Sequence, residues 1–402
     1  MDIASSAHCT HQDCRARVLS GARHCLAHAP TSERETYYDL VRGGHMTLDD
    51  GQLRQLQVDE PLARELRKLL RQLASVSVDF TGSCFEGHVD LSGLHFGHST
   101  FRSCVFYAAV TFAGTVFEGS ADFTDTVFST YGQGFRGARF EAGLTFACSP
   151  DLSPEDRMMV SIHLSEAELS KGARFDGRHI GHATESGTFN IFLDDAKVGD
   201  DLIFFETVCD GEICLDRLKL TAPIKVLAPP GGRISLKEVT LTEPLTLTVR
   251  VTDDAHTSEA AVAQLVSLQD ATLEAPLVVG DGMALTACRM FGATGLDNLR
   301  ITTVEPQWPS YRRRRVIAEE LAYRNPESEG QLNAPHAAKW RPSTDNCEPR
   351  SKRPRLRRRP RTFTTARWRC AGSPAHDAAS TAPFWRSTSG RAATGCGHPE
   401  RC

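Results

Sequence analysis

The 402-residue chain contains no run of eighteen apolar residues, so no membrane-spanning helix is expected. Its N-terminus lacks a basic stretch followed by an apolar one, so no secretory leader is expected either. A Gly-rich phosphate loop, a GxSxG elbow and an HExxH pair are all missing, and no Ser, His and Asp fall where the chain pattern would bring them together. The chain is therefore read as a non-enzyme without a small-molecule substrate. Paired carboxylates do occur, at Asp194/Asp195, Asp200/Asp201 and Asp253/Asp254, and are read as solvated acidic corners rather than catalytic dyads. Thirteen cysteines are present but scattered. Cys84, Cys104, Cys148, Cys209, Cys214 and Cys288 lie on or beside apolar positions, as small buried hydrophobes do in a reducing cytosol.

What the chain has is phenylalanine at a nearly fixed interval: Phe80, Phe85, then Leu91 in the same register, Phe96, Phe101, Phe106, Phe112, Phe117, Phe123, Phe128, Phe135, Phe140 and Phe146. Steps of five to seven residues fit neither a helix face nor a strand. A repeat this short implies a solenoid that turns a corner at each step and points one large apolar residue per side into a narrow shaft. Two residues before most ladder positions the side chain is small or β-branched, as at Val78, Ser83, Val89, Ser99, Cys104, Val110, Thr115, Ala121, Thr126 and Ala138. These are expected to point inward too. Gly, Asp, Thr and Ser between them suit tight exposed turns.

Over residues 78–146 this pattern resembles the pentapeptide-repeat family, which implies an all-β fold, a right-handed quadrilateral β-helix. Beyond residue 150 the ladder continues in degenerate form. It runs through the pairs Ile213/Leu215, Leu218/Leu220, Ile224/Val226, Ile234/Leu236, Val239/Leu241 and Leu245/Leu247, with one side skipped at Pro229–Gly232, and then through Leu268, Leu273, Val279, Leu285, Met290, Leu296 and Ile301. Ser149 to Asp156 and His179 to Ser186 are expected to loop out. Open solenoid ends need covers. The segment from Asp59 to Leu73, apolar at 62, 66, 69, 70 and 73, reads as a capping helix. A shorter helix is expected at Val316 to Arg324.

Ahead of the repeats, Cys9, Cys14, Cys25 and His28 form a C-x4-C-x10-C-x2-H set. Three thiolates and an imidazole are the donors of a closed, structural zinc site, and a segment this short needs such a staple to fold. His8, His11 and His24 are rivals for the fourth position, and the other reading is an unfolded arm with incidental Cys and His. The set also resembles the Cys- and His-containing segments that precede actinobacterial pentapeptide solenoids.

Charge divides the chain: residues 305–402 hold 20 Lys and Arg against 9 Asp and Glu, and residues 1–304 hold 26 against 41. The basic tail has no ladder or periodicity, and is read as an out-of-frame translation rather than a nucleic-acid contact. From the third base of the Thr362 codon, the codon table permits LYYGEMEMRR, and over Ala392 to Cys402 it permits GYGLRASRAL. Both resemble the segment that follows the solenoid in membrane-anchored members of the family. The expected organisation is a zinc-knuckle-like segment at 1–35, a helical cap at 36–75, regular coils at 76–148, degenerate coils at 149–303, a short helix at 304–325 and a disordered tail at 326–402. The resemblance implies a cytoplasmic protein-interaction scaffold, tied in its relatives to a membrane domain that this chain lacks. The alternative is an acidic DNA mimic that binds a type II topoisomerase.

Overall fold

A computed structural model describes residues 8–20, 22–48, 51–129, 133–149, 158–159, 161–180, 190–209, 211–249, 262–302 and the strands Ser310–Tyr311 and Arg314–Arg315. All of these belong to one unit, residues 1–357. The expected helix at 316–324 and the tail lie outside the described residues. Within the span 304–325, the two described strands pair antiparallel.

Short parallel strands dominate, with two α-helices ahead of them, α1 (Thr31–Arg42) and α2 (Glu60–Leu70). The strands stack into columns, each pairing with its counterpart about one coil later, so the chain winds as a parallel, solenoid-like stack. The first column runs from Gln57–Val58 through Cys84–Phe85 and Val105–Phe106 to Val127–Phe128, and a three-stranded stretch follows from Met158–Met159 to Val208–Cys209. The second column holds nine strands, from Val89–Asp90 to Met283–Ala284. The third and fourth share a fifteen-stranded sheet, because the single strand His95–Thr100 serves both.

The apolar ladder turns inward: every ladder residue from Phe80 to Phe146 is buried, as are all ten small residues expected to fill between them. Residues one coil apart stack with their rings nearly parallel and their centroids offset. Phe80, Phe101, Phe123, Phe146, Phe175 and Phe204 form one pile with centroid spacings of 5.5, 4.9, 5.0, 5.5 and 4.8 Å. Rings on opposite sides of the shaft meet edge to face, as Phe112 does with Phe101 at 80° and with Phe123 at 83°. Both arrangements suit the aromatic quadrupole. Three of the buried hydroxyls in this row are bonded to backbone: Ser83 Oγ donates to Leu53 O at 2.7 Å, Thr115 Oγ1 to Leu91 O at 2.8 Å and Thr126 Oγ1 to Phe101 O at 2.6 Å, while Ser99 Oγ is buried without a hydrogen-bond partner among the described residues.

Four columns do not persist along the whole stack. Among the described residues no first-column strand follows Val208–Cys209, and the chain passes from the fourth column directly to the second, from Ile224–Ala228 to Arg233–Ser235 and from Leu277–Val279 to Met283–Ala284. The side skipped at Pro229–Gly232 is thus skipped in each described coil that follows, which corrects the expectation of four sides to residue 303. Fourth-column strands lengthen from two residues to five at the same point, and Ile224, Val226 and Ala228 all turn inward. Two smaller corrections follow. His179–Ile180 is a first-column strand paired with Met158–Met159 and not part of a loop. In the last coil Leu299 is buried where Leu296 was expected, since Leu296–Asn298 makes a single 3-10 turn.

Helix α2 forms where its apolar spacing places it. The Asp59 carboxylate accepts from Leu62 N at 2.8 Å, Pro61 occupies the first turn, and Leu62, Leu66, Leu69 and Leu70 are buried. This acceptor satisfies one of the orphan donors of the first turn. The helix lies against the first coil: Arg67 pairs with Asp90 at 2.9 Å, and a Cβ on Gly87 would meet Glu60 Cβ at 2.8 Å. Helix α1 begins at Thr31, earlier than the boundary expected after residue 35, and is tied to α2 by Arg34 and Tyr38, which both reach the Glu65 carboxylate. No helix among the described residues is long and apolar enough to cross a membrane.

Candidate metal centre

Residues 8–20 and 22–29 fold as a hairpin and two turns. His8 bridges Arg17 antiparallel, and Cys9 N donates to Ala16 O at 2.9 Å. The hairpin tip closes with Cys14 N on His11 O and with Asp13 at φ 62, a conformation that a short polar side chain tolerates. A second turn, Leu19 N to His24 O, brings the chain back so that Cys25 opens a helical turn, its carbonyl accepting from His28 N and Ala29 N. This path brings Cys9, Cys14, Cys25 and His28 together, with one ligand atom from each lying within 4.8 Å of the others. The four residues could hold a metal ion.

The contacts within the group are specific. Cys14 Sγ lies 3.7 Å from Cys25 Sγ, and His28 Nδ1 lies 3.4 Å from Cys25 Sγ and 3.6 Å from Cys9 Sγ. Of the rival histidines, His11 stacks its ring on that of His28 at 3.9 Å and 8°, and His8 Nδ1 faces Arg15 O. Neither belongs to the four-residue group, nor does His24. The imidazole stack sets the His11 ring against that of His28, a contact that the spacing alone does not reveal.

Burial pushes the Cys14 thiol up and the Cys25 thiol up to about 12. It acts on Cys9 in the same sense, but backbone hydrogen bonds from Cys25 and His11 outweigh it and hold that thiol below its ordinary value. Burial, with His11 and His24 nearby, lowers the His28 pKa and favours the neutral ring that a metal requires. Cys25, Leu26 and Ala29 belong to the same continuous core as α1, α2 and the coils.

Arg178 went unrecognised in the sequence. It is 1 % exposed and donates to three backbone carbonyls inside the shaft. Its only signal is that it follows Gly177 where other coils carry a small residue. Compared with family models, with curated proteins and with solved structures, the chain matches none.

Proposed function

We propose that the chain is a non-enzymatic scaffold of the pentapeptide-repeat type: a right-handed β-helix, quadrilateral over its first coils, that presents its corners to a protein partner in the cytoplasm and is stapled at its start by structural zinc. The observation that carries the metal is geometric. A tetrahedron with Zn–S near 2.3 Å and Zn–N near 2.05 Å has S···S edges of about 3.8 Å and S···N edges of about 3.6 Å. The Cys14–Cys25 separation of 3.7 Å and the His28 separations of 3.4 and 3.6 Å fit those edges. Four protein donors leave no open position for a substrate, which favours a structural role.

The scaffold reading is supported by where the polar groups go. Ser83, Thr115, Thr126 and Arg178 direct their buried donors to backbone carbonyls, which favours recognition at the outer corners. The alternative, a DNA mimic for a type II topoisomerase, draws on the excess of acidic residues in 1–304. Many of those carboxylates carry an arginine: Arg102 lies on Asp122, Arg136 on Glu166, and Arg217 on both Asp195 and Glu238. Such pairing weakens the field a mimic would need.

Photocrosslinkers at the exposed corners Arg102, Arg136 and Lys171 should capture one discrete protein in cells that make the chain. The purified chain should leave gyrase supercoiling unaffected at micromolar concentration. Inhibition that fades with added salt would favour the mimic, and no capture at any corner would sink the scaffold.

A further inference from the structure

The three thiols of the metal centre are not equivalent. Cys25 is fully buried and Cys9 is 7 % exposed, while Cys14 is half-buried on a turn whose other residues, His11, Gln12, Asp13 and Arg15, are exposed or nearly so. His28 Nδ1 faces Cys9 and Cys25, and Cys14 Sγ lies 3.7 Å from Cys25 Sγ. Cys9 is fixed in the hairpin by its bond to Ala16 O, and Cys25 is fixed by the helical turn that follows it. The Cys14 turn, closed by one backbone bond to His11 O, is the part with room to move.

We infer that Cys14 and Cys25 form a peroxide-sensitive pair whose oxidation expels the metal, an inference that rests on the zinc reading above. The Cys14 thiolate, as the accessible sulfur, attacks hydrogen peroxide, giving a sulfenic acid and hydroxide. The Cys25 thiolate then attacks the sulfenyl sulfur, forming the disulfide and releasing a second hydroxide. Two thiolates thereby supply the two electrons that reduce one peroxide. Closing the S–S distance to about 2.05 Å draws the exposed turn inward and removes two of four ligands. Cys9 and His28 alone do not make a closed site, so the ion leaves hydrated. Cys104 in the shaft is shielded from the same reaction: it is buried, and burial pushes its thiol far above the ordinary range.

The test uses the full chain, purified reduced and with its zinc content fixed by elemental analysis, then titrated with hydrogen peroxide. Released zinc is read with a colorimetric chelator, and disulfides are mapped by differential alkylation and peptide mass spectrometry. One zinc should appear per disulfide, the crosslinked peptides should contain Cys14 and Cys25, and dithiothreitol with added zinc should restore the starting state. A chain that holds zinc and keeps it, or that loses it with a disulfide to Cys9 or with none, overturns the inference and leaves the metal reading standing. A reduced chain with no zinc overturns the metal reading and this inference with it.

Discussion

Arg178 is the only charged side chain among the described buried residues. Its Nε donates to Phe146 O at 2.9 Å, and its two terminal nitrogens donate to Thr126 O at 2.9 Å and Phe123 O at 3.0 Å, so one side chain clamps two earlier coils. Burial pushes its pKa down, and Cys148 and Asp125 oppose the shift. Guanidinium keeps its proton at such sites, and its planar fork meets several carbonyls at once. In other coils a threonine stands in this row, Thr126 bonding Phe101 O and Thr207 bonding Phe175 O. Arg178→Met should cost about 3 kcal/mol or more, because it leaves buried carbonyls without donors. Arg178→Lys should recover less than half, since an ammonium lacks the fork. Urea unfolding followed by circular dichroism reads both, and a Met variant as stable as the parent would show that the clamp contributes nothing.

At the scale of the single corner, spacing between coils decides which residue is allowed. Gly172 and Gly114 both have left-handed backbone, at φ 68 and 65. A Cβ on Gly172 would lie 2.1 Å from Asp201 O, whereas around Gly114 nothing comes within 4 Å. Gly114→Ala should therefore cost only the conformational penalty, about 1–2 kcal/mol. Gly172→Ala should cost clearly more, because the coil below must shift. Equal losses in thermal unfolding would mean that backbone strain alone governs the corners. These corners also explain what the sequence disclosed. Five-residue sides kept Phe80 to Phe146 in a countable rhythm, but Phe175 and Phe204 continue the same pile at intervals of 29 residues, because added residues lengthen those coils and hide the period. The loss of the first column was hidden for another reason: longer strands with alternating apolar residues mimic the old step. At the metal centre the Cys and His spacing was legible. That spacing pointed to His28, but what keeps the rivals His8, His11 and His24 out of the group was not legible, since it depends on where the hairpin returns the chain.

Across the whole stack, the described returns from the fourth column to the second are short, through Pro229 to Gly232 and through Gly280 to Gly282. Inserting Gly-Ser-Gly-Ser after the exposed Asp281 should leave the β circular dichroism unchanged and the Tm within about 4 °C of the parent, since loop length carries only a small entropic cost. A larger drop would show that the length of this turn, and not the strands alone, sets the coil.

Pro229 and Pro230 mark the place where the first column ends. A Cβ on Gly232 would lie 3.0 Å from Pro229 Cγ and 3.5 Å from Cys209 Cβ, so this stretch covers the last first-column strand. Proline offers no N–H to a further strand, and the column cannot grow past it. The stack therefore consists of two kinds of module with a punctuation mark between them. Tandem duplication of a coil within residues 84–128, or within residues 263–301, would yield a longer stack of the same kind, because each copy meets neighbours like its own. Duplication across Val208 to Arg233 would copy the stop itself, and the second set of four-column coils would begin on a ledge with no strand beneath it. Growth of this chain by repeat gain is in this way confined to either side of two prolines.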